Sequence, residues 1–227
     1  MILSIETSTK TCSVALHNQG ALLAESTLHV DKSHAEKLTV LIKDLLAYAC
    51  ISTKELTGVA IAGGPGSYTG LRIGTSTAKG LCYALNIPLI AINTLEAMVF
   101  GAAQTLTEAY ILCPMLDARR MEVYCMLADK ELKIIEPVKA KIIKEGSFNE
   151  ALNNYKIVFF GNGAAKCKPL LEGHTNAYFL TISSISAVNV GALAWQKYQK
   201  QDFADLAYFE PEYLKEFIAT KPKNLFA

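Results

Sequence analysis

An acidic turn near the start of the chain is the first place where the residue types could bind a ligand. Glu6 ends an apolar run, ILSIE, and is followed by the hydroxyl residues Thr7 and Ser8. A carboxylate followed by hydroxyl groups can hold a magnesium-bound phosphate, because magnesium prefers oxygen ligands. Side-chain capping of the turn explains the same residue types equally well.

A second acidic turn lies in the other half of the chain. Asp117 opens the turn DARR, which separates the apolar runs YILCPML and MEVYCMLA as a hairpin turn would. Further on, Gly161 and Gly163 follow the run IVFF and suit either contact with an adenine ring or a simple chain turn. Two hairpins with an acidic residue at each tip predict a site between two lobes.

A glycine-rich loop, GGPGSYTG at residues 63–70, lies between an apolar run and a helix. Such a loop can present backbone N–H groups to an anion, but it lacks the ending of a Walker A loop and the third glycine of a dinucleotide fingerprint. The structural alternative is a tight turn with close helix packing. Gly70, Gly74 and Ala78 share one face of the following helix. Arg72 suits either a phosphate or a structural carboxylate.

The sequence argues against several classes of enzyme. None of the four histidines forms an H-x-x-x-H or HExxH pair, so no zinc or iron site is expected. The nucleophile elbow of a serine hydrolase, G-x-S-x-G, is missing as well. The six cysteines include no CxxC pair, which favours buried free thiols in a reducing compartment.

The apolar pattern predicts a repeated α/β unit that positions these turns. In the first half, three short strands are followed by alternating helices and strands, and the first helix begins at a capping box of Ser33 and Glu36. The pattern starts again after residues 103–109. The sequence therefore predicts two domains, 1–105 and 106–227, each a mixed sheet flanked by helices.

Composition indicates a globular chain with no strong charge preference. The 227 residues are 51% hydrophobic and carry a net charge of +1. A protein that grips nucleic acid by itself usually has a basic excess, so we expect any nucleic-acid role to be shared with a partner. The sequence has no run of about 18 apolar residues and no signal-peptide pattern, so we expect a cytoplasmic protein without a membrane segment.

The motifs IETS, SHAE, GPGSYTGLRIG, DAR and GNGA closely resemble those of the TsaB (YeaZ) family, over nearly the whole chain. The resemblance implies two RNase H-like lobes of the actin-like ATPase (ASKHA) superfamily, with last helices that can pack back on the first lobe. It also implies a part in making threonylcarbamoyladenosine at position 37 of tRNA. In that pathway the related protein TsaD transfers the threonylcarbamoyl group.

The role that the resemblance implies is that of a non-catalytic scaffold. The chain would pair with TsaD, support it and let the ATPase TsaE dock on the pair, and it would form a homodimer when TsaD is absent. It would meet tRNA only through the complex. A glycoprotease-type peptidase and an independent ATP-binding module are the alternatives.

Comparison with TsaD implies which chemistry is lost. TsaD holds a metal with H-x-x-x-H after the strand that matches IPLIAI, and here Thr94 and Met98 occupy both histidine positions. A hydroxyl and a thioether do not replace two imidazoles on such a metal. Nucleotide-binding members usually have glycine where this chain has Ser8, so we expect no resident cofactor and at most weak binding of ATP or ADP.

Two sets of site residues follow from the resemblance. The degenerate nucleotide site comprises Glu6, Thr7, Ser8, Asp117, Gly161 and Gly163. The contact with TsaD lies on the first long helix and the glycine-rich helix after it, at His34, Leu38, Val40, Leu41, Leu45, Gly70, Arg72 and Gly74.

Overall fold

Two five-stranded sheets form the frame of the chain, and the computed structural model describes residues 1–30, 34–181 and 185–215. The first sheet contains β1 (Ile2–Glu6), β2 (Cys12–Asn18), β3 (Ala21–Leu28), β4 (Gly58–Ala62) and β5 (Leu89–Ile92), in the order β3-β2-β1-β4-β5. The second contains β6 (Ile111–Asp117), β7 (Glu122–Ala128), β8 (Ile134–Ile142), β9 (Ile157–Phe160) and β10 (Ala177–Phe179), in the order β10-β9-β6-β7-β8. Read from its other end, the second order matches the first, which confirms the predicted duplication.

In each sheet an antiparallel meander is extended by parallel strands. β1 pairs antiparallel with β2 and parallel with β4, and β6 makes the same pairings with β7 and β9. β4 and β9 are buried along their whole length, as expected for parallel strands covered on both faces. The sequence pattern does not predict β10, because its three residues are too few to show a period.

The helices of the described residues are α1 (His34–Tyr48), α2 (Tyr68–Leu85), α3 (Thr94–Ala103), α4 (Asn149–Asn154), α5 (Ala164–Leu171) and α6 (Ala187–Gln199). Ser67 and Asn93 cap α2 and α3, since their side chains accept N–H bonds from the first turn. Ser33, the predicted cap of α1, lies outside the described residues. Within the described ranges, no helix combines the length and apolar character needed to cross a membrane.

The two halves of the chain exchange a helix. α3, from the first half, packs on β6 and β7, whereas α6, from the second half, packs on the first sheet. Gly191 allows α6 to approach closely, because a Cβ there would overlap the His17 ring and lie 2.5 Å from the Ser4 hydroxyl. One core between the sheets results, to which Ile2 and Phe160 contribute from opposite halves.

Each sheet buries its other face against helices of its own half. α1 directs Leu38, Ile42 and Leu45 onto the first sheet at helical spacing. In the second half, Phe159 of β9 packs in the same cluster as Leu171 of α5. Full burial of side chains of this size stabilises the fold by roughly 1.5–3 kcal/mol each. These two outer cores fix the turns at the strand ends.

After α6 the chain returns along the first sheet as an extended segment, residues 203–215, which we call the C-terminal strap. The Ala204 N–H donates to the Leu89 carbonyl at 2.9 Å, which places the strap beside β5, the edge strand of the first sheet. Further along, the Glu212 N–H donates to the Gly63 carbonyl at 2.7 Å. The strap therefore follows the side of the sheet as far as the glycine-rich loop.

Candidate functional site

The Glu6 carboxylate lies at the end of β1 and is completely buried. The Ser8 N–H and hydroxyl donate to its Oε1 at 2.6 and 2.5 Å, while Oε2 has no hydrogen-bond partner among the described residues. Burial raises the pKa of Glu6 to about 7, against the opposing effect of the Ser8 and Thr9 hydrogen bonds. Burial therefore favours the protonated form of this carboxyl group relative to an exposed glutamate.

The glycine-rich loop is built around this turn. The Ser67 N–H donates to the Ser8 carbonyl at 2.6 Å, and the Thr7 hydroxyl donates to the Gly70 carbonyl at 2.8 Å. A Cβ on Gly70 would overlap the Thr7 carbonyl oxygen, and one on Gly74 would overlap the Thr7 hydroxyl. These two glycines therefore serve close packing of α2 on the turn, which is the structural alternative that the sequence leaves open.

The Asp117 carboxylate is paired within its own half of the chain. It accepts hydrogen bonds from the Lys166 ammonium and from the Arg119 N–H, the latter at 2.9 Å, while the Asp117 N–H donates to the Asn162 side chain at 2.8 Å. Partial burial works to raise the pKa of Asp117, but Lys166 and Arg119 outweigh burial and hold that pKa below its ordinary value. Asp117 is therefore ionised and neutralised locally at neutral pH.

The turn after β9 packs against the same hairpin. Gly161 has a φ of +97°, in the region that favours glycine, and a Cβ there would overlap the Met115 carbonyl. A Cβ on Gly163 would lie 2.9 Å from Val123 Cγ1. Both glycines therefore let α5 begin directly against β6 and β7.

The candidate nucleotide residues are held by two different sets of contacts. Asp117, Gly161 and Gly163 meet in the second half, while Glu6, Thr7 and Ser8 meet the glycine-rich loop in the first. Glu6 is fully buried, Ser8 is 2% exposed, and Asp117 is paired with Lys166. These residues do not fit a magnesium-bound nucleotide, because a phosphate-bound cation needs accessible oxygen ligands that are not already neutralised.

The two positions at which TsaD is expected to have histidines are used here for packing. Thr94, the first residue of α3, accepts the Gly64 N–H on its hydroxyl at 3.2 Å and donates its own N–H to the Gly64 carbonyl at 2.8 Å. Met98, one turn later, is 4% exposed, and its Cε lies 2.7 Å from the position that a Cβ on Gly161 would take. Within the described ranges, no three His, Cys, Asp or Glu side chains are grouped to hold a metal ion.

Most of the predicted partner-contact residues lie inside the chain. The buried ones are His34, Leu38, Leu45, Gly70 and Gly74. The His34 ring, for example, lies 3.2 Å from the Thr11 carbonyl. These five residues pack within the chain, because helical periodicity marks a buried face without saying what covers it. The partner contact itself stays a prediction. Val40, Leu41 and Arg72 are the predicted contact residues that remain at least partly exposed.

An exposed apolar groove of about 400 Å³ runs between α1 and α2. Its lining includes Ile42, Leu46 and Ala47 of α1, Ile51 just after it, and Thr77 and Leu81 of α2. On the same two helices, Val40, Tyr48 and Tyr83 are 48%, 87% and 83% exposed. The apolar lining of this groove is typical of a face that binds another molecule, whereas single exposed apolar residues such as Tyr48 and Tyr83 are ordinary.

Sequence reasoning misses the contacts that neutralise and cap these turns. Lys166 is 49 residues away from Asp117, and Thr94 is 30 residues away from Gly64. No local pattern connects such pairs, because the path of the chain between the strands brings them together. One signal was available: the helix predicted after Gly163 places Lys166 in its first turn.

Comparisons with known proteins agree with the resemblance. A family model described as "TsaD: tRNA N6-adenosine threonylcarbamoyltransferase" matches residues 22–225. The tRNA threonylcarbamoyladenosine biosynthesis protein TsaB of Bacillus subtilis (strain 168) is 34% identical over 137 residues, which are 60% of this chain and 58% of that protein. The TsaB of Escherichia coli (strain K12) is 37% identical over 123 residues, 54% of this chain and 52% of that protein. The matches thus span little more than half the length of these curated relatives.

The fold agrees with a solved structure over almost its whole length. YeaZ from Pseudomonas aeruginosa superposes with a TM-score of 0.79, covering 94% of this chain and 99% of that one at 24% sequence identity. Together with the duplicated strand order, this match confirms the predicted α/β fold of two lobes, each a mixed sheet flanked by helices. Since the TsaD family model covers residues 22–225 and the matched proteins of Bacillus subtilis and Escherichia coli are both named TsaB, this chain belongs to the TsaB (YeaZ) family.

Proposed function

We propose that this chain is a non-catalytic scaffold subunit of the machinery that makes threonylcarbamoyladenosine at position 37 of tRNA. One observation carries the proposal: at the expected metal-ligand positions of TsaD, Thr94 is hydrogen-bonded to Gly64 and Met98 packs in the core. The names of the curated relatives support the pathway. The buried Glu6 turn and the Lys166-paired Asp117 support the absence of nucleotide chemistry.

The partner in this proposal is TsaD, with TsaE docking on the pair and tRNA reached only through the complex. The groove between α1 and α2 supplies the surface, so residues 1–105 carry the partner contact and residues 106–227 form the second lobe. When TsaD is absent, the same apolar face pairs with a second copy of the chain, as a self-complementary patch does in a two-fold dimer. The complex works in the cytoplasm.

The direct test is reconstitution. Tagged TsaD from the same organism is co-expressed with this chain, and co-purification in a fixed ratio is expected. Purified TsaD, TsaE and tRNA are then assayed for the modified nucleoside with and without this chain. Modification that depends on the chain supports the proposal, whereas full modification without it, or no association with TsaD, contradicts it.

Val40→Glu is expected to weaken association with TsaD by about tenfold or more while leaving the monomer folded. Val40 is 48% exposed on α1, so a carboxylate is tolerated in the free chain but is desolvated without a partner once the groove is covered. Size-exclusion chromatography with light scattering, together with circular dichroism, measures both effects. Ile142→Glu is the matched control, because Ile142 is 60% exposed on β8, away from the groove. Equal loss of binding in the two variants, or none in either, would place the interface elsewhere.

The purified chain is expected to carry no stoichiometric metal and no nucleotide. The hydroxyl of Thr94 is engaged by Gly64, the Met98 thioether lies in the core, and neither is a ligand for iron or zinc in this setting. Elemental analysis and the ultraviolet spectrum of protein purified without chelators check both statements. One tightly bound metal ion per chain would contradict the scaffold proposal. As a positive control, TsaD is prepared in parallel.

A further inference from the structure

The first part of the C-terminal strap is fastened by backbone contacts. Ala204 pairs with Leu89 of β5. The Asp205 carboxylate then accepts the N–H groups of Ala207 and Tyr208 at 2.8 and 3.0 Å, and the Asp205 carbonyl accepts the Phe209 N–H at 2.8 Å. The Lys79 ammonium of α2 also donates to the carbonyls of Ala207 and Phe209, both at 3.1 Å. As far as Phe209, the strap is therefore held by the sheet edge, by its own turn and by α2.

The middle of the strap covers the carboxyl ends of β4 and β5. The Phe209 ring packs against Gly63, directly after β4, where a Cβ would lie 3.1 Å from Cζ. The Glu212 N–H donates to the Gly63 carbonyl, and the Asn93 side chain, directly after β5, donates to the Glu212 carboxylate at 2.9 Å. A cavity of about 130 Å³ lies beneath, between these strand ends and the strap.

Among the described residues, the contacts of Tyr213 and Lys215 in the last part of the strap are made by exposed side chains. The Tyr213 ring packs at a tilt against Tyr68, with 5.0 Å between centroids, and its hydroxyl accepts the Arg72 Nε–H at 3.4 Å. The Lys215 ammonium pairs with Glu122 of β7, in the second sheet, and the two side chains are 41% and 18% exposed. Exposed ion pairs and long hydrogen bonds contribute little stability each.

We propose that residues 210–215 form a lid that opens just after Phe209, whose carbonyl is bonded to Lys79 and whose ring packs against Gly63. The closed lid occupies the crevice at the carboxyl ends of β4 and β5, which is where open α/β sheets commonly receive ligands. It also ties α2 to the second sheet through Tyr213 and Lys215. Opening breaks the exposed contacts first, then uncovers the Gly63 carbonyl and the Asn93 amide, and leaves Ala204 paired with β5. This inference does not depend on the proposed function.

Amide hydrogen exchange of the full chain, followed by NMR, tests the lid. In the wild-type chain the Glu212 amide is expected to exchange at least tenfold faster than the Ala204 amide. The hydrogen bond from Glu212 to Gly63 breaks whenever the lid opens, whereas the bond from Ala204 to Leu89 stays intact. Lys215→Ala is expected to speed exchange at Glu212 about threefold, and Tyr213→Ala about tenfold, with Ala204 changed by less than twofold. Lys200→Ala, an exposed lysine outside the strap, is the matched control.

The outcomes are decisive in both directions. Faster exchange confined to Glu212 supports a lid that opens after Phe209. Unchanged exchange at Glu212 in both variants would overturn it, since the end contacts would then not hold the lid. Equal acceleration at Glu212 and Ala204 would also overturn it, because the strap would then detach as one piece. Two surface variants are used so that poor folding of one leaves the other to decide.

Discussion

Replacing Gly70 with alanine is expected to lower the free energy of unfolding by about 3 kcal/mol or more, at the upper end of the range for overpacking. The Cβ would overlap the Thr7 carbonyl oxygen, which is backbone and cannot rotate away. The Thr7 hydroxyl is bonded to the Gly70 carbonyl, so the turn and the helix cannot separate without losing that bond as well. Urea or thermal denaturation followed by circular dichroism measures the loss.

Gly80→Ala is the matched control for this prediction. Gly80 lies in the same helix, but nothing comes within 4 Å of the position of its Cβ. Alanine there is expected to raise the free energy of unfolding by about 1 kcal/mol, because glycine is a poor helix former. The two variants should therefore shift the melting temperature in opposite directions. Shifts of the same sign would show that the close packing of α2 on the Thr7 turn does not exclude a side chain at position 70.

Glu6→Gln is expected to stabilise the chain at pH 8 relative to wild type, and to do so much less at pH 4.5. The pKa of Glu6 is about 7 in the folded chain, against an ordinary value of 4.5. Below 4.5 the carboxyl is protonated in both states and burial carries no ionic penalty. As the pH rises from 4.5 to 7, the unfolded chain ionises first, so the wild-type free energy of unfolding falls by roughly 3 kcal/mol and then levels off. Glutamine does not titrate.

The measurement is the difference in melting temperature between Glu6→Gln and wild type across pH 4.5 to 8. Glu25→Gln, an exposed glutamate on β3, is the control and is expected to give a small difference at every pH. His17 acts in the opposite direction, because burial lowers its pKa and its contribution is lost as the pH falls below its ordinary value of 6.5. Both chains contain His17, so its effect cancels. A pH-independent difference for Glu6→Gln would contradict the prediction.

Periodicity in the sequence predicts the elements well because each strand and helix has its own local pattern. The run TGVAIA predicts a buried strand, and β4 is buried throughout. The same reasoning finds the apolar stripe of α1 but does not tell whether Leu38 faces its own sheet or a partner. In the structure, Leu38 packs against the first sheet of its own chain.

Contacts between distant parts of the chain are beyond the reach of local patterns. The motif around Glu6 suits a phosphate loop as well as a buried turn. The turn is buried because the glycine-rich loop packs against it, through the bond from Ser67 to Ser8. Likewise, nothing in the sequence near Glu122 indicates that Lys215, 93 residues later, lies against it. The sequence therefore predicts which residues lie in the turns of the candidate nucleotide site. It does not predict that Glu6 is buried or that Asp117 is paired with Lys166, because both depend on the tertiary fold.

The exchange of α3 and α6 has a consequence for the order in which the protein is made. The first sheet is complete in sequence at Ile92, yet α6, which covers one of its faces, begins at Ala187. At typical synthesis rates of ~5–20 residues per second, the nascent chain keeps that face, including Ile2 and Ala60, uncovered for roughly 5–20 s. The first lobe therefore finishes folding only after most of the second lobe has been synthesised, so its folding depends on the second lobe.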